Sequence, residues 1–182
     1  MKKLVFAKNF STGVFVFFIA TSSLYSCKSD DDKGGDNSFS CDNYWDRVEL
    51  NNVCDLGFPN SFTFDSPPQA GTTTICIANV LENSVPDYNG RILITKTPSN
   101  QNAIDAYEAH KSAIHPTNDM QDFDAGGDRG LVVQILGTEQ YNYAAVKGKF
   151  FVQYSSSVEP ATHPCLTKAN HDDYMRAIVA KL

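Results

Sequence analysis

The chain has 182 residues, 42% of them apolar and 12% aromatic, a balance that suits one folded domain and excludes a fibrous or wholly disordered polymer. Acidic residues number 21 against 15 basic ones, and three of the basic residues (Lys2, Lys3 and Lys8) fall within the first 26 positions, so the rest of the chain carries a net charge of about −9. The remaining lysines and arginines are scattered, with no cluster that could face a run of phosphates, and nucleic acid is excluded as a partner.

The N-terminus opens Met1-Lys2-Lys3, continues into an apolar stretch densest over residues 13–20, and reaches Leu24-Tyr25-Ser26-Cys27. A basic start, a short apolar segment and a small residue before a boundary are the parts of a secretory leader, and eight apolar residues span only about 12 Å as a helix, too short to cross a membrane. Leu24-Tyr25-Ser26-Cys27 resembles the lipobox of bacterial lipoproteins, with Tyr25 a bulky residue at the variable place. The resemblance implies removal of residues 1–26 and acylation of Cys27, whose thiol takes a diacylglyceryl group and whose new amine takes a palmitate-type chain. Each buried CH₂ then adds about 0.8 kcal/mol of membrane affinity. Residues 27–39 read as the lipidated cysteine and a flexible tether, since residues 28–38 contain no apolar side chain to bury. Asp30, Asp31 and Asp32 resemble the export signal of surface lipoproteins in some Gram-negative bacteria. The expected location is the outer membrane, lipid-anchored and displayed at the cell surface, with the periplasmic leaflet as the alternative.

Residues 40–182 read as a single domain. A short helix over 40–48 is followed by three strands at 61–65, 72–81 and 91–97, each rich in β-branched or aromatic residues and bounded by Pro, Gly, Asn or Asp. Pro98-Ser99 opens a helix with Ala103, Tyr107, His110 and Ile114 on one face, stopped by His115-Pro116. After a polar loop at 117–128 come strands at 131–136, 141–146 and 149–154, joined by hairpin-length gaps. A final helix is expected with Asn170 as its cap and Tyr174, Ile178 and Leu182 four apart. The order α-βββ-α-βββ-α predicts an α+β fold, an antiparallel sheet of two three-strand sets covered by helices, with a hint of a pseudo-repeat.

Setting Cys27 aside leaves Cys41, Cys54, Cys76 and Cys165, and four cysteines in an exported domain predict two disulfides. No Cys-x-x-Cys pair suggests zinc. Placement in the strand pattern favours 54 with 76 and 41 with 165, with 41–54 and 76–165 as the competing scheme.

Residues 60 to 182, with Gly127-Asp128-Arg129 before a strand, the Val146-Lys-Gly-Lys-Phe-Phe-Val152 hairpin and the closing Ala177-Ile-Val-Ala-Lys-Leu182, resemble the Mog1/PsbP-like domain of small exported lipoproteins. The resemblance implies a binding or assembly module without a shared catalytic site, and no residue roles carry over.

Chemistry-bearing patterns are sparse. Gly-x-Ser-x-Gly, His-Glu-x-x-His and the phosphate-cradling Gly-x-x-x-x-Gly-Lys are all missing. His110, His115, His163 and His171 read as helix-edge or loop residues, and no catalytic set and no cofactor are expected. Asp122, Asp124 and Asp128 in a glycine-containing loop form a weak calcium candidate, because the pattern departs from an EF-hand at Gly126 and Val133; a solvated loop is the expected reading. Tyr141 and Tyr143 share one strand face and Phe150, Val152 and Tyr154 another, which predicts core packing or a strip touching a glycan or protein. The function expected is a non-enzymatic binding or assembly lipoprotein with an envelope protein or glycan partner. The alternatives are a small envelope hydrolase or an acidic immunity or inhibitor protein.

Overall fold

Three hydroxyl side chains start the three helices. In a computed structural model, which describes residues 39–54, 62–65, 73–81, 88–158 and 164–182, Ser40, Ser99 and Thr167 each accept the backbone N–H three residues on, at 3.3, 3.2 and 3.2 Å. Each bond satisfies a donor that the first helical turn leaves without a partner. The helices that follow are α1 (Cys41–Trp45), α2 (Asn100–Ala113) and α3 (Lys168–Ala180), with a 3₁₀ turn at Leu50–Asn52. The final helix thus begins at Thr167 rather than at Asn170, whose amide is the one Thr167 caps.

Seven strands, β1 (Phe62–Asp65), β2 (Thr74–Leu81), β3 (Tyr88–Lys96), β4 (Asp119–Asp122), β5 (Arg129–Gln134), β6 (Gln140–Lys147) and β7 (Phe150–Ser157), form one antiparallel sheet in the order β1-β2-β3-β7-β6-β5-β4. The α+β class and the antiparallel sheet are therefore present, but not as two three-strand sets. Pairing of β3 with β7, from Gly90 opposite Ser156 to Lys96 opposite Phe150, fuses a three-strand and a four-strand meander. The added strand, β4, lies inside the predicted polar loop. Asp119-Met-Gln-Asp122 has no apolar alternation because all four side chains are exposed, and it is a strand only by virtue of its ladder to β5.

Register sorts the side chains onto two faces. Ile92, Ile94, Val152, Tyr154, Tyr143 and Ala145 point to the face covered by α1 and α3, where Tyr174, Met175, Ile178 and Val179 meet them. Leu131, Val133, Ala144, Val146 and Phe151 point the other way and pack on Ala103 and Tyr107 of α2. The helices that follow the two meanders thus lie on opposite faces, so the hinted repeat does not extend to packing.

Four tyrosines in the first of these cores are almost wholly buried, and three hydroxyls find partners that tie distant segments. Tyr44 donates to the Ile178 carbonyl at 2.6 Å, Tyr174 to the Cys54 carbonyl at 3.0 Å, and Tyr154 to a ring nitrogen of His171 at 2.5 Å. Lys147 closes the other end of α3 by donating to the carbonyls of Val179 and Ala180, the place where a helix favours a cation. Phe39, read from sequence as the last tether residue, already packs on the domain, 4.6 Å from Phe150 and 5.6 Å from Tyr44 between ring centres.

The cysteines pair in the third of the three possible schemes. Cys41 bonds Cys76 and Cys54 bonds Cys165, correcting both pairings considered from sequence. The physical reason is the face: Cys76 points to the side on which α1 lies, so the first cysteine of α1 is its neighbour. Cys54, just after the 3₁₀ turn, faces the segment that enters α3.

Candidate functional site

Charged and aromatic side chains converge where α3 meets the end of β6. Tyr141 and Tyr143 alternate on β6 and so share a face, and Phe123, just beyond β4, adds a third ring set edge-on to Tyr143 at 5.3 Å. Lys168, the first residue of α3, lays its ammonium 5.3 Å from the ring centres of both Tyr141 and Tyr143 and 6.0 Å from Phe123. Asp172, one turn on, holds the same ammonium at 2.5 Å. One turn further, Arg176 also sits over the Phe123 ring, 5.0 Å from its centre, pairs with Asp173 at 2.8 Å and donates to the Asp124 carbonyl at 3.3 Å. Two cations spaced eight residues apart on one helix thus clasp aromatic faces of the sheet, an arrangement favoured by the negative face of each ring.

Beneath the clasp runs a buried polar chain. Tyr143 stacks on Tyr154 with ring centres 5.5 Å apart, and the Tyr154 hydroxyl meets His171 Nδ1. His171 Nε2 lies 3.0 Å from the Ser157 carbonyl and must be the protonated nitrogen, because a carbonyl only accepts; Nδ1 is then the acceptor for Tyr154. His171 is wholly buried, and burial holds its pKa below the usual imidazole value, against smaller opposing effects from the Ser157 carbonyl and Asp172. Burial likewise pushes the Tyr154 and Tyr143 hydroxyls up, the latter with help from the Asp172 carboxylate. The imidazole is therefore a neutral, doubly bonded core group that meets no solvent.

The other sequence candidates are dispersed. His110 faces the sheet from α2, with Nδ1 3.0 Å from the Gln153 amide and a pKa lowered by burial. His115 is exposed and bonds Thr117 at 2.7 Å, while His163 lies outside the described residues. Asp122 stands on β4, Asp124 accepts the Gly126 N–H at 2.9 Å, and Asp128 accepts from Gly148 N–H at 2.8 Å and from the Asn100 amide at 3.3 Å. Asp128 thereby fastens the 123–128 loop to the β6–β7 turn and the start of α2. Among the described residues no three His, Cys, Asp or Glu side chains gather as a metal site. Phe150, Val152, Tyr154 and Tyr143 are buried beneath the helices, so of the aromatic strip only Tyr141 reaches the rim. Cys27 and residues 28–38 of the tether lie outside the described residues, and among those described no helix is long and apolar enough to cross a membrane.

A shallow open depression of about 510 Å³ between α1 and the C-terminus is bordered by Phe39, Asp46, Arg47, Phe150 and Lys181. It places no histidine beside a carboxylate. No protein-family model matches the chain, and no curated protein matches it at a significant level.

From the sequence, Asp172 and Arg176 read only as charges suited to the dipole of the final helix, and Lys168 was not singled out. The signal was present as an i, i+4 Lys–Asp pair followed by an arginine on one helix face, but that pattern is common on solvated helices. Only the sheet's placement of three rings against it turns it into a clasp.

Proposed function

We propose that the protein is an outer-membrane lipoprotein, anchored through Cys27 and displayed at the cell surface, whose domain acts as a non-enzymatic binding or assembly module in the envelope. The observation that carries the reading is the division of the five cysteines. One ends an apolar leader and precedes a charged spacer, while the other four pair into two bridges, the state of thiols in an oxidising compartment. The buried polar groups support the non-catalytic part: the His171 imidazole spends both nitrogens inside the core, and the clasp residues neutralise one another. The resemblance of residues 60 to 182 to small exported lipoprotein domains belongs to the same proposal.

The test is non-reducing mass spectrometry of membrane-extracted protein, combined with protease shaving of intact cells. The expected result is an acylated Cys27, bridged peptides 41–76 and 54–165, and loss of the domain on shaving; Cys27→Ala protein should leave the membrane fraction. An unacylated N-terminus overturns the anchor, and protection from the protease until the outer membrane is breached overturns surface display.

A further inference from the structure

Edge strand β4 is open in three ways at once. Its four residues are exposed, and it ends the sheet with no further strand paired to it among the described residues. Phe123 N–H donates to the Gly130 carbonyl at 3.0 Å, in the same register that sets Asp122 opposite Leu131 and Gln121 opposite Val132. Because bonded and non-bonded pairs alternate along an antiparallel ladder, Asp119 and Gln121 are the positions bonded to β5. The N–H and C=O groups of Met120 and Asp122 therefore face outward.

The side chains along this edge carry a consistent chemistry. Three large apolar residues are exposed among those described, and one of them, Phe64, stacks on Trp45. The other two, Met120 (43% exposed) and Leu136 (69%), both lie at β4, where the Leu136 N–H donates to Asn118 Oδ1 at 3.2 Å beside the strand's start. Asp119 and Asp122, three apart on a strand, project to opposite faces, so each face of the edge presents a carboxylate. The nearby cation Arg129 is engaged by Glu108 of α2. A second copy is a poor occupant, because its β4 offers the same two carboxylates and no base to meet those of the first.

We infer that β4 is a docking edge for an extended, basic segment of a partner protein, which adds an eighth strand through the outward groups of Met120 and Asp122. The pattern is specific, with basic residues opposite Asp119 and Asp122 and an apolar residue opposite Met120, hence two cations three residues apart. Main-chain bonds supply the attachment and the flanking side chains the selectivity. The chain's acidic excess draws such a segment in over longer range. This inference deepens the binding-module reading by naming the chemistry of the partner.

The test uses the full-length, membrane-extracted chain and a blocked peptide reading Thr-Lys-Thr-Val-Lys-Thr, with a peptide in which glutamates replace both lysines as control. Residue-resolved amide exchange is the decisive readout. The lysine peptide should bind saturably, weaken with added salt, and slow exchange at the Met120 and Asp122 amides, which the free protein leaves open. Asp119→Asn/Asp122→Asn should weaken binding by roughly threefold to tenfold, as expected for two exposed charge pairs. Met120→Pro, which removes an outward N–H tolerated as a loss at a sheet edge, should abolish it. Equal binding of the glutamate peptide, binding without slowed exchange at those two amides, no binding at all, or occupation of the edge by a second copy each overturns the inference. Any of these results obtained with Cys27 acylated leaves the anchored-module reading standing.

Discussion

Replacing His171 by phenylalanine tests the central claim about the core, that its imidazole is neutral and used at both nitrogens. At neutral pH the substitution leaves the Tyr154 hydroxyl and the Ser157 carbonyl without their partner in a site that excludes water. At about 1 to 3 kcal/mol for each orphaned buried group, partly offset by the apolar ring, the expected loss is about 2 to 4 kcal/mol. The second signature is in pH. The folded-state pKa of His171 lies below its unfolded value, so the unfolded chain binds the extra proton first. Native stability is complete above the unfolded value of about 6.5 and falls as pH drops below it, with a limiting slope of about 1.4 kcal/mol per pH unit for this residue. The groups facing the ring are Tyr154, Tyr174, Asp172 and Lys168, and all are retained in the variant. Urea unfolding of both proteins from pH 7.5 to 5 should therefore show the gap between them shrinking on acidification, since carboxylates common to both cancel in the difference. A gap that stays constant over this range, or widens, would refute a neutral buried imidazole.

Four further outcomes are expected. Replacing Cys54 and Cys165 by alanine should cost about 4.8 kcal/mol, and replacing Cys41 and Cys76 about 3.8 kcal/mol, from the chain entropy released by loops with separations of 111 and 35 residues; urea midpoints compare the two, and a larger loss for the shorter loop would contradict the entropic ordering. Gly130→Ala places a Cβ 2.3 Å from the Phe123 carbonyl oxygen and should cost about 1 to 3 kcal/mol by forcing β4 off β5, seen in the melting temperature and in faster amide exchange at Phe123. Gly137→Ala, at φ +76° with nothing within 4 Å, should cost about 1 to 2 kcal/mol from backbone strain alone and leave that amide protected. A double-mutant cycle of Lys168→Met with Asp172→Asn should give a coupling of about 0.5 kcal/mol that fades in 1 M salt, because the lysine side chain is 36% exposed and screened; a coupling insensitive to salt would count against the ion pair.

The elements legible in the sequence were those whose side chains alternate or recur because one face is buried. The strands around Ile92, Val132, Tyr143 and Val152 and the helix with Ala103 and Tyr107 all show that periodicity, and Ser40 and Ser99 announce their helices by capping. β4 was illegible because neither of its faces is buried, so its side chains obey no pattern and only the backbone of β5 makes it a strand. His171 was illegible for a different reason. A histidine between Asn170 and Asp172 looks solvated, and the helix is what rotates this one residue of the polar run toward Tyr154.

Local and compositional facts were thus determined by the sequence alone: an acidic chain, the cysteines available for bridges, the starts of α1 and α2 and the class α+β. The tertiary structure decided which cysteines meet, that the two meanders fuse into one sheet, which polar groups are buried, and which strand ends the described sheet. Periodicity and capping act between residues a few positions apart and leave their trace in the local chain. Pairing across 35 or 111 residues depends on the face from which distant segments approach, and no short stretch of sequence records that.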